Sequence, residues 1–506
     1  MSKQNQSSIS NKSREYFSND NLKTDLKKRS VRSGAVTIAA QASKFVIQMG
    51  STAILARLLL PEDYGLIGMV TVAIGFAKLF KDLGLANATI QKAEINHQQV
   101  STLFWINFAI SCLAAAIVVA LAPVASWFYQ ESRLTGITIA LASTFIFGGL
   151  TVQHQALLRR QMHFGDLAKI EIISTLSGVI AAAIAAWYGL GYWALVLMQI
   201  VTAAGNALGV WWACSWRPGM PVKDSGIKSM LAFGGNVTGF NLVNYFSRNL
   251  DNILIGRYWG SQQLGLYAKA YQLVLLPIQQ INAPVTNVAL PALCSLQNDP
   301  HQYRRYYYKA ILLISTLGMP LIGFLFASAD KAILLVLGEQ WLEVVPIFQF
   351  LLPAAFNSTI GVGLGWAYQS LGLVDRQLRW GIISSAINVI LFLIGVRWGV
   401  LGVAAIYGLS RPIFLIAGFA YCYHQTTLKL TKLISTLCPP ALASTGAAMI
   451  LINTNLVSYL RINILVSILI DLGLYSVFYL LIWIMMPNGR NILWEMLQLA
   501  QVLRAK

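Results

Sequence analysis

The sequence predicts an all-α polytopic membrane protein, and three observations carry that reading. The chain of 506 residues is 56% hydrophobic and only 11% charged, too little charge to clothe a soluble surface of that size. Stretches of about 20 mostly apolar residues recur along nearly the whole length, each enough to cross a roughly 30 Å hydrocarbon core. A polar face inside two of those stretches repeats at a fixed offset. Asn241, Asn244, Arg248, Asp251 and Asn252 stand 200 residues after Gln41, Lys44, Gln48, Ser51 and Thr52. Steps of three and four place each set on one side of a helix. Under the same shift Arg57 answers Arg257, and Gly65-Leu66 answers Gly265-Leu266. A duplicated polar face in apolar helices points to the lining of a cavity between two related halves.

Taken in order, residues 1–33 are polar and rich in Ser, Asn and Lys. They read as a disordered cytoplasmic tail without a cleavable signal. About fourteen spans follow, near 34–56, 64–83, 100–126, 134–156, 167–187, 191–213, 230–256, 263–292, 307–327, 345–370, 377–396, 399–423, 432–453 and 463–486. No connection is long enough to be an extramembrane domain. Spans one to six make an N-lobe, 34–213. The segment 214–226, with Pro218 and Pro221, reads as the linker between lobes. Spans seven to twelve make a C-lobe, 227–425. An even number of spans per lobe gives both the same topology, a parallel pseudo-two-fold repeat about an axis along the membrane normal. A second trace supports it: Tyr188-Gly189-Leu190-Gly191-Tyr192-Trp193-Ala194 is followed later by Trp398-Gly399-Val400-Leu401-Gly402-Val403-Ala404. Residues 426–506 hold two further C-terminal helices, outside the repeat, and a tail.

Charge fixes the expected orientation. With the N-terminus in the cytoplasm, inside loops and the C-terminal tail carry 17 Lys and Arg, against 6 in the outside loops, and residues 1–33 add eight to the inside. Positive loops mark the cytoplasmic side, so both termini are expected there. The same bias explains most of the net charge of +18 without a nucleic-acid partner, for which no compact basic domain exists.

Six basic residues remain inside spans: Lys44, Lys78, Lys169, Arg248, Lys269 and Arg411. The acids there are Asp82, Asp251 and Asp471, with Asp166 and Glu171 near a boundary. A charge at mid-membrane costs about 2.5–3.5 kcal/mol on insertion scales and is rarely idle. For Lys169 and Lys269, near helix ends, snorkelling to a headgroup is the simpler role. Lys44, Arg248, Lys78 and Arg411 are the expected contacts for an anionic substrate, since Arg grips phosphate through paired hydrogen bonds. Gln41, Gln48, Asn241, Asn244 and Asn252 offer donors and acceptors suited to sugar hydroxyls. Asp251, one turn from Arg248, moderates its charge. Pro277, Pro284 and Pro291 recur every seven residues in one span and are expected to bend it.

Catalysis leaves no signature. The sequence lacks H-E-x-x-H, G-x-S-x-G, a P-loop and paired carboxylates on a large outer loop. The five cysteines are scattered without metal spacing. Neither cofactor nor metal is expected.

Several motifs bring a family into view. Ala56-Arg57-Leu58-Leu59-Leu60-Pro61-Glu62-Asp63-Tyr64-Gly65 resembles the first-loop signature of bacterial polysaccharide flippases. Asp82-Leu83-Gly84-Leu85, Ile90-Gln91-Lys92 and Leu158-Arg159-Arg160-Gln161-Met162-His163-Phe164 continue the likeness. So do Tyr188 to Leu195, and Leu337-Gly338-Glu339-Gln340-Trp341 with Pro346. The match runs in order over roughly 30–425. The chain thus resembles the Wzx-type lipopolysaccharide and colanic acid exporters of the multidrug/oligosaccharidyl-lipid/polysaccharide superfamily. The resemblance implies two six-helix lobes around a V-shaped cavity, alternating access, and an undecaprenyl-pyrophosphate-linked oligosaccharide as substrate. In the lipid II flippase of that superfamily two extra C-terminal helices form a groove for the lipid tail, and whether spans thirteen and fourteen do so here is left open by the sequence. Membrane lipid, a polysaccharide polymerase and export machinery are the implied partners.

The expected function is therefore a flippase for surface-polysaccharide repeat units, not an enzyme. One rival is a multidrug exporter of the same superfamily, which would want an acidic cavity for cationic drugs. The other is a polysaccharide polymerase or membrane glycosyltransferase, which would want a large outer loop.

Overall fold

The computed structural model describes residues 26–82, 86, 89–90, 95–222, 228–454, 463–486 and 489–490; the side chains of 26–38, 78–82, 228–244 and 246–248 lie outside that description. Among the described residues the structure is helical, with no strand. The helices are α1 Leu26–Leu58, α2 Pro61–Asp82, α3 His97–Tyr129, α4 Arg133–Arg160, α5 Phe164–Trp187, α6 Tyr192–Ala213 and α7 Lys228–Ser295. They continue as α8 Pro300–Ala327, the short α9 Ala329–Val336, α10 Val344–Ser370, α11 Val374–Gly395, α12 Gly399–Tyr423, α13 Leu430–Thr454 and α14 Ile464–Met485. Ten stretches among the described residues are long and apolar enough to cross a membrane; one of them, Val374–Tyr423, covers two of the expected spans. The chain is a multi-pass membrane protein.

Two elements differ from the sequence expectation. α1 starts at Leu26, eight residues before the apolar run, because a helix need not stop where the hydrocarbon does; Lys27, Lys28 and Arg29 occupy its polar end. α7 joins two expected spans end to end. Its backbone leaves helical values at Gly260 (φ 81°, ψ −178°) and stays helical through Pro277, Pro284 and Pro291. Gly260 reaches this region because it has no Cβ. The prolines sit in a helix whose freed carbonyls neighbouring groups can satisfy.

Helix starts follow from local chemistry. Asn96 caps α3 in a capping box, accepting from the Gln99 amide at 2.8 Å while Gln99 Oε1 accepts from the Asn96 amide. Asp299 caps α8 and Pro300 opens it, a position where a missing N–H costs nothing. Asn463 caps α14.

The helix order repeats. α1 and α2 recur 200 residues later as the two arms of α7 on either side of Gly260. α4, α5 and α6 recur about 210 later as α10, α11 and α12. The turns agree as well: Gly189 and Gly399 share φ values of 77° and 76°, and Met162 and Gly372 have 57° and 69°. The offset grows because residues 130–132 join α3 to α4, whereas α9 and a 3-10 turn at Glu339–Trp341 fill the later connection.

The chain forms two compact units, Met1–Gly265 and Leu266–Lys506. In unit 1, α3 packs on α4, α4 on α6, α5 on α6 and α1 along α5. Val100, Phe104, Leu157, Leu158, Val210, Cys214 and Trp216 form one of its cores. The segment after α6 is strapped to α3: Trp105 Nε1 donates to the Gly219 carbonyl at 2.8 Å, and the Gly219 and Val222 amides donate to Ser101 and Thr102 hydroxyls. The repeated Gly65 and Gly265 meet here. A Cβ on Gly65 would overlap the Ser261 carbonyl, and one on Gly265 the Pro61 carbonyl, so glycine permits this helix crossing.

In unit 2 the neighbours recur, with α8 on α10, α10 on α12 and α11 on α12. The core is richer in tyrosine. Tyr423 donates to Tyr307 at 3.0 Å, Tyr307 donates to the Gly363 carbonyl at 2.9 Å, and Tyr303 meets Ser370 at 2.6 Å. The C-terminal pair is fastened to α8: Ser444 donates to the Met319 carbonyl at 2.7 Å and Tyr479 to the Thr316 carbonyl at 3.1 Å. Such bonds hold helices together where apolar burial gives little preference for protein over lipid.

Candidate functional site: polar faces of two helical units

The polar stripe of α1 changes character along the helix. Gln41 and Lys44 are exposed, Gln48 and Ser51 half-buried and Thr52 buried. Ser51 donates back to the Gln48 main-chain carbonyl at 2.9 Å. Lys44 forms an ion pair with Glu171 of α5, and each side chain is half exposed (51% and 50%). At that exposure an ion pair contributes about 0–1 kcal/mol, weak enough for an incoming anion to exchange with the carboxylate.

The matching stripe lies on α7. Asp251 is buried and its carboxylate accepts the Asn252 amide at 2.8 Å; Asn252 is half-buried. Tyr245 ties this arm to α2 by donating to the Val72 carbonyl at 2.7 Å. Lys78, Asn241, Asn244 and Arg248 stand on α2 and α7, and their side chains lie outside the described residues.

Arg411 belongs to unit 2, on α12. Its guanidinium lies over the Tyr407 ring, 4.1 Å from the centroid, and 5.9 Å from that of Phe414. The Tyr407 hydroxyl meets Tyr271 at 3.2 Å, so the ring is held as a shelf. A cation over an aromatic face gains about 0.5–2 kcal/mol, yet no hydrogen-bond donor is consumed. Arg411 Nε is buried and has no hydrogen-bond acceptor among the described residues.

Some partners were invisible in sequence. Glu171 lies 127 residues from Lys44, with nothing local to connect them. Asp471 pairs with Lys331 at 2.6 Å, joining α14 to α9. Arg133 pairs with Glu131 at 2.7 Å and with Glu62. Tyr407 was readable, since it precedes Arg411 by one helical turn. Two of the family-like motifs meet at Asp63, whose carboxylate accepts the Leu60 amide at 2.9 Å and the Tyr192 amide.

With this geometry in hand, likeness to known proteins is informative. Residues 54–346 match the family described as polysaccharide biosynthesis protein. The teichuronic acid biosynthesis protein TuaB of Bacillus subtilis (strain 168) is 27% identical over 415 residues, 81% of this chain and 86% of TuaB. The lipopolysaccharide biosynthesis protein WzxC of Escherichia coli (strain K12) is 24% identical over 386 residues, 75% of this chain and 78% of WzxC. Among solved structures, the lipid II flippase MurJ in an inward closed conformation superposes with a TM-score of 0.71, covering 90% of this chain and 99% of MurJ at 14% identity. That likeness speaks for the fold. The family match spans more than half of the chain, and the protein belongs to the polysaccharide biosynthesis protein family that its motifs pointed to.

Proposed function

We propose that this protein is a flippase that carries an undecaprenyl-pyrophosphate-linked oligosaccharide across a bacterial inner membrane by alternating access, supplying surface-polysaccharide assembly. The observation that carries the reading is the pairing of a MurJ-like fold with helices whose embedded cations outnumber their acids. In unit 1 the pyrophosphate contacts Lys44, Lys78 and Arg248, displacing Glu171 from Lys44. Gln41, Gln48, Asn241, Asn244 and Asn252 contact the glycan, and Asp251 moderates Arg248. Arg411 offers an anion contact within unit 2, its guanidinium held over the Tyr407 ring. The 17-to-6 distribution of Lys and Arg supports cytoplasmic termini. An inward-negative potential favours expulsion of an anionic substrate. A polymerase and export machinery take the product onward.

The test is the leaflet distribution of lipid-linked oligosaccharide in cells lacking the chain. Accumulation on the cytoplasmic face with loss of a surface polymer is expected. Restoration by the wild-type chain but not by Arg411→Ala, at equal membrane levels, is expected to follow. Units that reach the periplasm and remain unpolymerised would replace this reading with a polymerase.

A further inference from the structure

Unit 2 contains a second cationic feature, away from the polar stripes. A cleft of about 530 Å³ is lined by His301, Arg304, Arg305, Tyr308, Thr427, Lys429 and Lys432. Four of the seven carry full positive charge, and none is acidic. His301, Arg304, Arg305 and Tyr308 fall at steps of three and four on the first turns of α8 and so share one face. Lys429 and Lys432 flank the start of α13, which packs on α8.

The cleft is built, not a chance meeting of surface charges. Tyr308 clasps its two walls: its hydroxyl accepts the Lys429 amide at 2.7 Å and donates to the Lys429 carbonyl at 2.9 Å. The turn before it is fixed by Arg376, which donates to the His424 carbonyl at 2.6 Å and to Gln425 Oε1 at 3.0 Å. Thr426 closes the turn by accepting the Leu428 amide at 3.2 Å. The adjacent carboxylate, Asp299, is engaged by the His301 and Gln302 amides and so is directed at the helix end.

We propose that this cleft binds a phosphate-bearing anion. The chemistry is specific: two guanidiniums and two ammoniums line a cleft where charge-assisted bonds to phosphate oxygens are the strong ones, and none of its lining residues is an acid. Its position puts a membrane phosphate within reach. Along α13 the surface passes from Lys429 and Lys432 to the exposed Ile434 and Leu442 within a few turns, the change from headgroup to hydrocarbon depth. On the orientation proposed above this end faces the cytoplasm, where anionic lipid headgroups attract basic segments. The same chemistry accepts a soluble phosphate or pyrophosphate. Binding here does not require that the protein be a flippase.

The experiment uses the purified full-length chain in phosphatidylcholine nanodiscs, with and without phosphatidylglycerol. Native mass spectrometry counts retained phosphatidylglycerol, and inorganic pyrophosphate is titrated against the lipid-neutral discs by thermal shift. The wild type is expected to retain the anionic lipid or to be stabilised by pyrophosphate. Retention of lipid alone identifies a headgroup site, and response to pyrophosphate alone a site for soluble phosphate. Arg304→Gln with Lys432→Gln is expected to weaken binding at least about tenfold, whereas Arg397→Gln, outside the cleft, leaves it unchanged. Tyr308→Phe keeps every charge but loosens the clasp and is expected to weaken binding several-fold. No binding by the wild type, or equal binding by the double variant, overturns the site. Full binding by Tyr308→Phe overturns a built cleft in favour of diffuse attraction.

Discussion

The two units share a helix order but treat positive charge differently. In unit 1, Lys44 is matched by Glu171, and Arg133 by Glu62 and Glu131. Arg160 and Arg217 are spent on backbone carbonyls, Arg160 on those of Thr89 and Ile90 and Arg217 on those of Trp211, Cys214 and Trp216. In unit 2, Arg411 rests on an aromatic ring, and four cations around the α8–α13 cleft face no acid among its lining residues. Among the described residues of unit 2, Lys331 pairs with Asp471 and fastens the C-terminal helices. Duplication preserved the backbone path while the partners of each cation diverged. Backbone carbonyls occupy cations in unit 2 as well, Arg376 on that of His424 and Arg304 Nε on that of Pro300, so the contrast between the units lies in which cations meet acids.

The largest effect is expected where unit 2 does use an ion pair. Asp471 is 6% exposed and Lys331 24%, so Asp471→Ala leaves an ammonium largely removed from water without its carboxylate. A loss of about 3 kcal/mol in stability is expected, read as a lowered melting temperature in nanodiscs. Lys331→Met combined with Asp471→Leu should recover much of it. An unchanged melting point in the single variant would mean that the pair does not fasten α14 to α9.

A smaller effect sharpens the contrast in unit 1. A double-mutant cycle of Lys44→Met and Glu171→Gln should give a coupling below about 1 kcal/mol, because both partners are half exposed. Polysaccharide export should nevertheless fall in Lys44→Met more than in Glu171→Gln. A large coupling with equal losses of export would make Lys44 a structural cation and remove it from the substrate path.

The smallest effect is a pH dependence. The Arg133 guanidinium, by hydrogen bonding, holds the Glu131 carboxyl below its ordinary value of 4.5. A depressed carboxylate contributes stability that is full above its unfolded pKa and is lost as pH falls through the folded value. Acid unfolding of the wild type should therefore include a step below about pH 4.5, and Arg133→Gln should flatten it. An identical acid profile in the variant would show that the Glu131 pair carries no stability.

Much of the fold was legible without coordinates. Apolar runs of membrane length and the positive-loop bias are local or summed properties, and they fixed the class and the expected orientation. The repeat was legible in the α1 and α7 stripes because helical periodicity places i, i+3 and i+4 on one face whatever the tertiary packing. The site was legible only as residue types. Gln41, Lys44 and Gln48 share a face as expected, but that Lys44 is partnered was not readable.

The sequence by itself determined an all-helical membrane protein with a repeated helix order, an excess of embedded cations and membership of a polysaccharide biosynthesis family. Tertiary structure decided which cations are neutralised. Glu171 reaches Lys44 across 127 residues, Gly65 and Gly265 meet where their repeat offset alone gave no contact, and α8 and α13 bring His301–Tyr308 to Lys429 and Lys432. The physical reason is that hydropathy and periodicity report how a residue meets solvent and its own helix. Ion pairs, glycine crossings and clefts depend on which helices become neighbours, and that is fixed by packing over the whole chain.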